Sequence, residues 1–114
     1  MKYKDGEPAP NPLETLLSAL SACKLVSFWD LANKYKISFE DAHIDITAVV
    51  GPNGFAEGTH QPINTIKSIH TVWNIKSEQS DQEIEDFLKV VEAVCTVGNS
   101  LNPAIESSHE IKRG

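Results

Sequence analysis

Asn11-Pro-Leu-Glu-Thr-Leu-Leu-Ser-Ala-Leu-Ser-Ala-Cys23 opens an apolar pattern that a domain of this size can hardly wrap by itself. Asn11 is a good N-cap, and Pro12 suits the first helical position, where a backbone N–H has no intrahelical partner. Leu13, Leu16, Leu17, Leu20 and Cys23, followed by apolar residues through Leu31, predict one helix from Pro12 to about Lys36. At the usual rise such a helix spans roughly 36–39 Å. Ser18, Ser21, Lys24, Ser27 and Asp30 recur every third residue and leave only a narrow, drifting polar stripe. A helix apolar around most of its circumference has to be covered on several sides. Ser18, Ala19, Ser21 and Ala22 are small enough to admit another backbone closely, so the expectation is a dimer.

The rest of the chain supplies the other elements. Residues 1–10 are polar, contain Gly6, Pro8 and Pro10, and read as an arm. His43 to Val50 alternates, with Ile44, Ile46, Ala48 and Val50 on one face, and predicts a strand. Gly51-Pro-Asn-Gly54 breaks it, and a loop runs to Pro62. Ile66 to Lys76 alternates again, with Ile69, Thr71, Trp73 and Ile75 sharing a face. Ser80-Asp-Gln-Glu83 is a capping-box pattern. Ile84, Phe87, Leu88, Val91 and Val94–Cys95 then follow at helical spacing, and Gly98 ends that helix. Ile105 to Lys112 predicts a last strand. This order specifies an α+β fold: a long helix and a second helix on a small, mostly antiparallel sheet, in a single domain over residues 1–114.

Composition narrows the function classes. With 40% hydrophobic and 23% charged residues the chain is ordinary globular material. Its formal charge is −6, and its only arginine is Arg113. An acidic chain without a basic cluster is a poor partner for nucleic acid or an anionic membrane. Met1-Lys-Tyr-Lys-Asp-Gly6 has no apolar run of the signal-peptide kind, and Glu14, Lys24 and Asp30 interrupt the apolar helix, so neither export nor a membrane span is expected. The expected location is the cytoplasm, where two cysteines are more often catalytic or free than a structural disulfide.

Cys23 and Cys95 are the chain's two cysteines. A thiol that does redox work has to be deprotonated and reachable, and a second thiol can capture its oxidised form. Lys24 adjoins Cys23 in sequence but lies about 100° around the helix, a poor position from which to assist it. Glu14 lies about two and a half turns before Cys23 on a related face, placed to accept a hydrogen bond or orient a cation. It also sits three residues after Asn11, where it can serve the cap and the helix dipole. A cysteine on an apolar helix face is ordinarily a small core residue. His43, His60, His70 and His109 are scattered without metal-ligand spacing, so no metal is expected.

The residues around both cysteines resemble the OsmC/Ohr family. Asn11-Pro-Leu-Glu-Thr-Leu-Leu-Ser-Ala-Leu-Ser-Ala-Cys23 is similar to that family's N/S-P-x-E-x-L…A-x-x-A-C helix, and Cys95-Thr-Val-Gly-Asn-Ser-Leu101 to its C-P-V-x-x-x-L segment, with Thr96 in the proline's place. The resemblance covers about Asn11 to Ile111 and implies an OsmC-like fold in an intertwined homodimer, with the family's N-terminal β-meander largely absent. It implies reduction of organic hydroperoxides, with Cys23 as the peroxidatic thiol, Cys95 as the resolving thiol and Glu14 as the catalytic glutamate. A lipoyl-type or small-molecule dithiol would serve as reductant, and no cofactor would be required. The family's glutamate usually stands where Leu13 lies here, and its arginine, which precedes the long helix, has no counterpart in this chain. Those departures point to a divergent branch. They give the alternative of a catalytically inactive OsmC-like dimer that binds a small apolar ligand at the interface.

Overall fold

The computed structural model describes residues 12–113, so the arm and the Asn11 cap lie outside the described residues. The elements run α1 (Pro12–Tyr35), β1 (Asp41–Phe55), β2 (Pro62–Lys76), α2 (Asp81–Ala93), α3 (Thr96–Asn99) and β3 (Glu106–Arg113). This is an α+β fold. The described residues divide into a helical unit, which runs to Ser38 and resumes from Gln79 to Asn99, and a sheet unit of Phe39–Glu78 and the segment from Ser100 on.

In the helical unit, Leu20, Lys24, Phe28 and Ala32 form the buried line of α1, one residue per turn. Val26 and Trp29, each 60% exposed, lie outside it. The helix ends with Lys36 in the left-handed region (φ 57°) and the Ile37 N–H donating to the Ala32 carbonyl at 2.9 Å. That bond satisfies a carbonyl the helix leaves unpaired. Helix α2 starts with the serine half of its capping box: Ser80 Oγ accepts the Glu83 N–H at 3.2 Å, and its hydroxyl donates to Glu83 Oε1 at 3.0 Å. Ile84, Phe87, Leu88 and Val91 form its buried face. The Phe28 and Phe87 rings meet edge to face with centroids 5.2 Å apart and join α1 to α2.

Lys24 falls on the buried line, not in the polar stripe where the sequence pattern puts it. It is 7% exposed, and its Nζ is ion-paired with Glu92 of α2. A carboxylate brought alongside by packing is what lets an ammonium group lie there. By length and composition α1 is long enough to cross a membrane. The Lys24–Glu92 pair turns its most costly residue toward α2 of the same unit.

In the sheet unit, β2 is central among the described residues, with β1 on one side and β3 on the other. The longer pairing, β1 with β2, is antiparallel; β3 pairs with β2 in parallel, and the chain between them passes through α2 and α3. Parallel neighbours need such a long connection. Ile69, Thr71, Trp73 and Ile75 are buried on one face as the alternation predicts, with Ile44 opposite Trp73 on β1 and Ile111 opposite it on β3.

Strand β1, an edge strand among the described residues, runs past Gly51-Pro-Asn-Gly54 with an irregular pairing to β2. Register shifts fall at Val49/Val50 and between Pro52 and Phe55, and Gly54 takes φ 80°. An edge tolerates a proline without an N–H, and a bulge absorbs the irregularity. At the first shift the extra residue is Lys67 on β2, and Val50 beside it is 44% exposed.

Phe28 is 1% exposed, so Phe28→Ala should cost about 3–5 kcal/mol of unfolding free energy. Ser80→Ala should cost about 1 kcal/mol, with Ser80→Asp restoring most of it. Urea titration followed by circular dichroism measures both, and equal small losses would show that the α1–α2 seam is not where the stability lies.

Candidate functional site

Helix α2 ends at Ala93, and Val94 closes it with its N–H on the Val90 carbonyl at 3.2 Å. Cys95 stands between α2 and α3. The sequence pattern carries the helix through Cys95 to Gly98, whereas the break comes earlier. In an unbroken helix the Gly98 N–H would go to the Val94 carbonyl; here it goes to Cys95 Sγ at 3.4 Å. The Asn99 N–H returns to the Cys95 carbonyl at 2.9 Å, so Cys95 acts as the cap of α3. Asn99 Nδ2 also satisfies the Ala93 carbonyl at 2.9 Å.

The opening amides of a helix have no carbonyl of their own to bond. Those of Val97 and Thr96 lie near enough to Cys23, which α1 brings to the start of α3, to act as donors toward its sulfur. The Ser27 hydroxyl, one turn along α1, and the Cys95 thiol act on the same sulfur in the same direction. Both cysteines are free thiols, Cys23 half-buried and Cys95 only 1% exposed. The chain thus brings the two predicted thiols close enough within its helical unit for each to influence the other.

Their surroundings push the two sulfurs in opposite directions. The Val97 amide is the strongest influence on Cys23. With the Cys95 thiol, the Thr96 amide and the Ser27 hydroxyl it outweighs burial, and the Cys23 thiol is held below its ordinary range. Burial is the strongest influence on Cys95 and raises it; Cys23 adds to the rise, and the Gly98 amide and the Lys24 charge oppose it. Cys23 is therefore the more acidic thiol of the pair and Cys95 the less acidic one.

Glu14 is not brought into this cluster along its own helix. It lies exposed in the first turn of α1, roughly 13.5 Å along the axis from Cys23 at the α-helical rise. The charge of Lys24 bears on Cys95, whose pKa it lowers. Ser27, Glu92 and the amides of Thr96, Val97 and Gly98 were not singled out from the sequence. Amide donors leave no signature in residue type, and the serine's spacing of four from Cys23 was the one signal available. Among the described residues no three His, Cys, Asp or Glu side chains gather as a metal site would need.

An α+β chain with two unlike thiols at one helix start defines the class of protein. The chain belongs to the OsmC family: the model of the OsmC-like protein matches residues 4–110. No curated protein matches it in sequence. Solved structures share its fold. An OsmC-like protein from Mycoplasma pneumoniae is 22% identical, with a TM-score of 0.77 over 98% of this chain and 77% of that one. An organic hydroperoxide resistance protein from Elizabethkingia anophelis is 16% identical, with a TM-score of 0.76 over 96% of this chain and 72% of that one. The organic hydroperoxide resistance protein OsmC from Legionella pneumophila is 17% identical, with a TM-score of 0.75 over 91% and 70%.

Alkylation by iodoacetamide follows the thiolate fraction, which grows as pH rises through the pKa. A lowered Cys23 should therefore reach half its maximal rate at lower pH than Cys95, whose pKa is raised. Cys95→Ala removes one donor and should move the Cys23 profile upward, and Cys95→Ser should move it less. A Cys23 profile unchanged in Cys95→Ala would mean that the thiols do not meet in solution.

Proposed function

We propose that this chain reduces organic hydroperoxides by a two-thiol cycle. The observation that carries the reading is the set of donors converging on Cys23: two backbone amides, one hydroxyl and the Cys95 thiol. Such donors stabilise an anionic sulfur, and thiolate is the form that attacks peroxide. The Cys23 thiolate attacks one peroxide oxygen and the O–O bond breaks, giving a sulfenic acid at Cys23 and an alkoxide that takes a proton to leave as alcohol. Cys95 then attacks the Cys23 sulfur; the S–S bond forms, the S–O bond breaks and water leaves. A dithiol of the lipoyl or small-molecule type returns both sulfurs to thiols by exchange and is itself oxidised to a disulfide. Half-exposed Cys23 suits the thiol that meets substrate, and buried Cys95 suits the one that meets only Cys23. No metal or cofactor enters these steps.

The working unit is a cytoplasmic homodimer in which each chain acts as one OsmC-like domain. Val26 and Trp29 on α1, with Val90 at 41% and Val94 at 48% exposure, are large apolar side chains of the helical unit left open to solvent in a single copy. Glu14 enters the proposal through this dimer, since its distance along α1 keeps it from the Cys23 of its own chain. The structural relatives named as organic hydroperoxide resistance proteins support this choice of substrate.

Cumene hydroperoxide consumption with dihydrolipoamide as reductant is the test. Cys23→Ser should fall to background, Cys95→Ser should turn over slowly and accumulate sulfenic acid, and Glu14→Gln should lose rate. Turnover by Cys23→Ser equal to the unmodified chain would refute the assignment, and no turnover by the unmodified chain would make ligand binding by an inactive dimer the leading account.

A further inference from the structure

Lys24 is an ammonium group on the apolar line between Leu20 and Phe28. Burying it costs free energy that its ion pair with Glu92 offsets, and a well-packed apolar pair would join α1 to α2 at least as well. Stability therefore does not account for the pair, whereas its position does. Lys24 follows Cys23 directly in the chain. Glu92 precedes Cys95 by one helical turn, and its carbonyl accepts the Cys95 N–H at 3.4 Å. The bridge thus ties together the two backbone segments that carry the thiols.

Building on the two-thiol cycle above, we propose that Lys24 is the positioning residue of the resolving step: held by Glu92, its charge lets buried Cys95 release its proton once Cys23 has been oxidised. The ionisable groups that bear on Cys95 are Cys23 and Lys24 from α1, and Glu92 from α2 through Lys24. Helix α3 contributes the Gly98 amide. While Cys23 is a thiolate, its negative charge and its hydrogen bond from Cys95 keep the second thiol protonated, against Lys24. Oxidation of Cys23 to a neutral sulfenic acid removes that opposition. Lys24 and the Gly98 amide then act alone against burial, and Cys95 becomes a nucleophile at the stage where one is needed. The proton balances within the site: the Cys95 S–H proton joins the hydroxide expelled from the sulfenic acid, and water leaves as the disulfide forms.

The test follows conversion of preformed Cys23 sulfenic acid to disulfide in the full chain, by rapid quench and mass, across pH. Lys24→Met should shift the profile to higher pH by about one unit, and so slow the step about tenfold below the pKa. Lys24→Arg should keep the unmodified profile. Glu92→Gln retains a hydrogen-bonding partner for Lys24 but frees its charge, and should shift the profile to lower pH. Opposite shifts from the two partners are what an electrostatic role requires. If both variants slow the step with the profile unmoved, the pair is a structural clamp and the proposal is overturned. Should Lys24→Met not fold, the direction of the Glu92→Gln shift decides. A chain in which peroxide yields no sulfenic acid would defeat the peroxide reading. The Lys24 effect is then read in Cys23→Ser, where ultraviolet titration of the Cys95 thiolate should give a lower pKa than in the unmodified chain, and a higher one again when Lys24→Met is added. No difference between those two titrations would overturn it.

Discussion

The opening amides of the short helix α3 are donors that no carbonyl of that helix can satisfy, and two sulfur atoms satisfy them instead. That arrangement organises the helical unit. Cys95 ends one helix and caps the next, taking the Gly98 N–H, while the Val97 and Thr96 amides turn to Cys23 on α1. Sulfur is a weak acceptor as a thiol and a better one as a thiolate. The amides therefore favour charge on whichever sulfur they reach in greater number, and that sulfur is Cys23. The second thiol, buried and giving its own proton to the first, is held back. Gly98 lies in the same packed region: a Cβ there would make ordinary van der Waals contact with Cys95 Sγ at 3.4 Å and Leu20 Cδ1 at 3.6 Å.

The packing of α1 against α2 sets where those amides point. Phe28 on Phe87 gives the contact its apolar area, and Lys24 on Glu92 places a charge one residue from one thiol and one turn from the other. The buried line of α1 is narrow, and the helix keeps Val26 and Trp29 outside it. A single copy thus completes the contact between the thiols but not the cover of the helix that carries one of them.

Much of this was legible in the chain because the signals are local. The Ile69–Ile75 alternation, the Ser80–Glu83 box and the spacing of Ile84, Phe87, Leu88 and Val91 each depend on neighbours a few residues away. The length of α1 was likewise readable from Pro12 and the leucine spacing. What was not legible depends on partners distant in sequence or on groups without side-chain identity. Lys24 reads as part of a polar stripe until Glu92 is placed beside it. Val50 reads as a covered residue, whereas beside the irregularity in the β1–β2 pairing it is 44% exposed. The direction of β3 depends on where the chain re-enters the sheet after two helices, which no alternation pattern encodes. Of the site, the two thiols were visible as residue types. The amides that make them unlike were not, since every residue but proline carries one.

If the two sulfurs of one chain form a reactive pair, peroxide should join them. Peptide-mapped mass after one equivalent of cumene hydroperoxide, without reductant, tests it most directly. The account predicts the loss of one hydrogen from each thiol and a Cys23–Cys95 link within a single chain. Two thiols left intact would contradict it, as would oxidation confined to Cys23 with Cys95 still free.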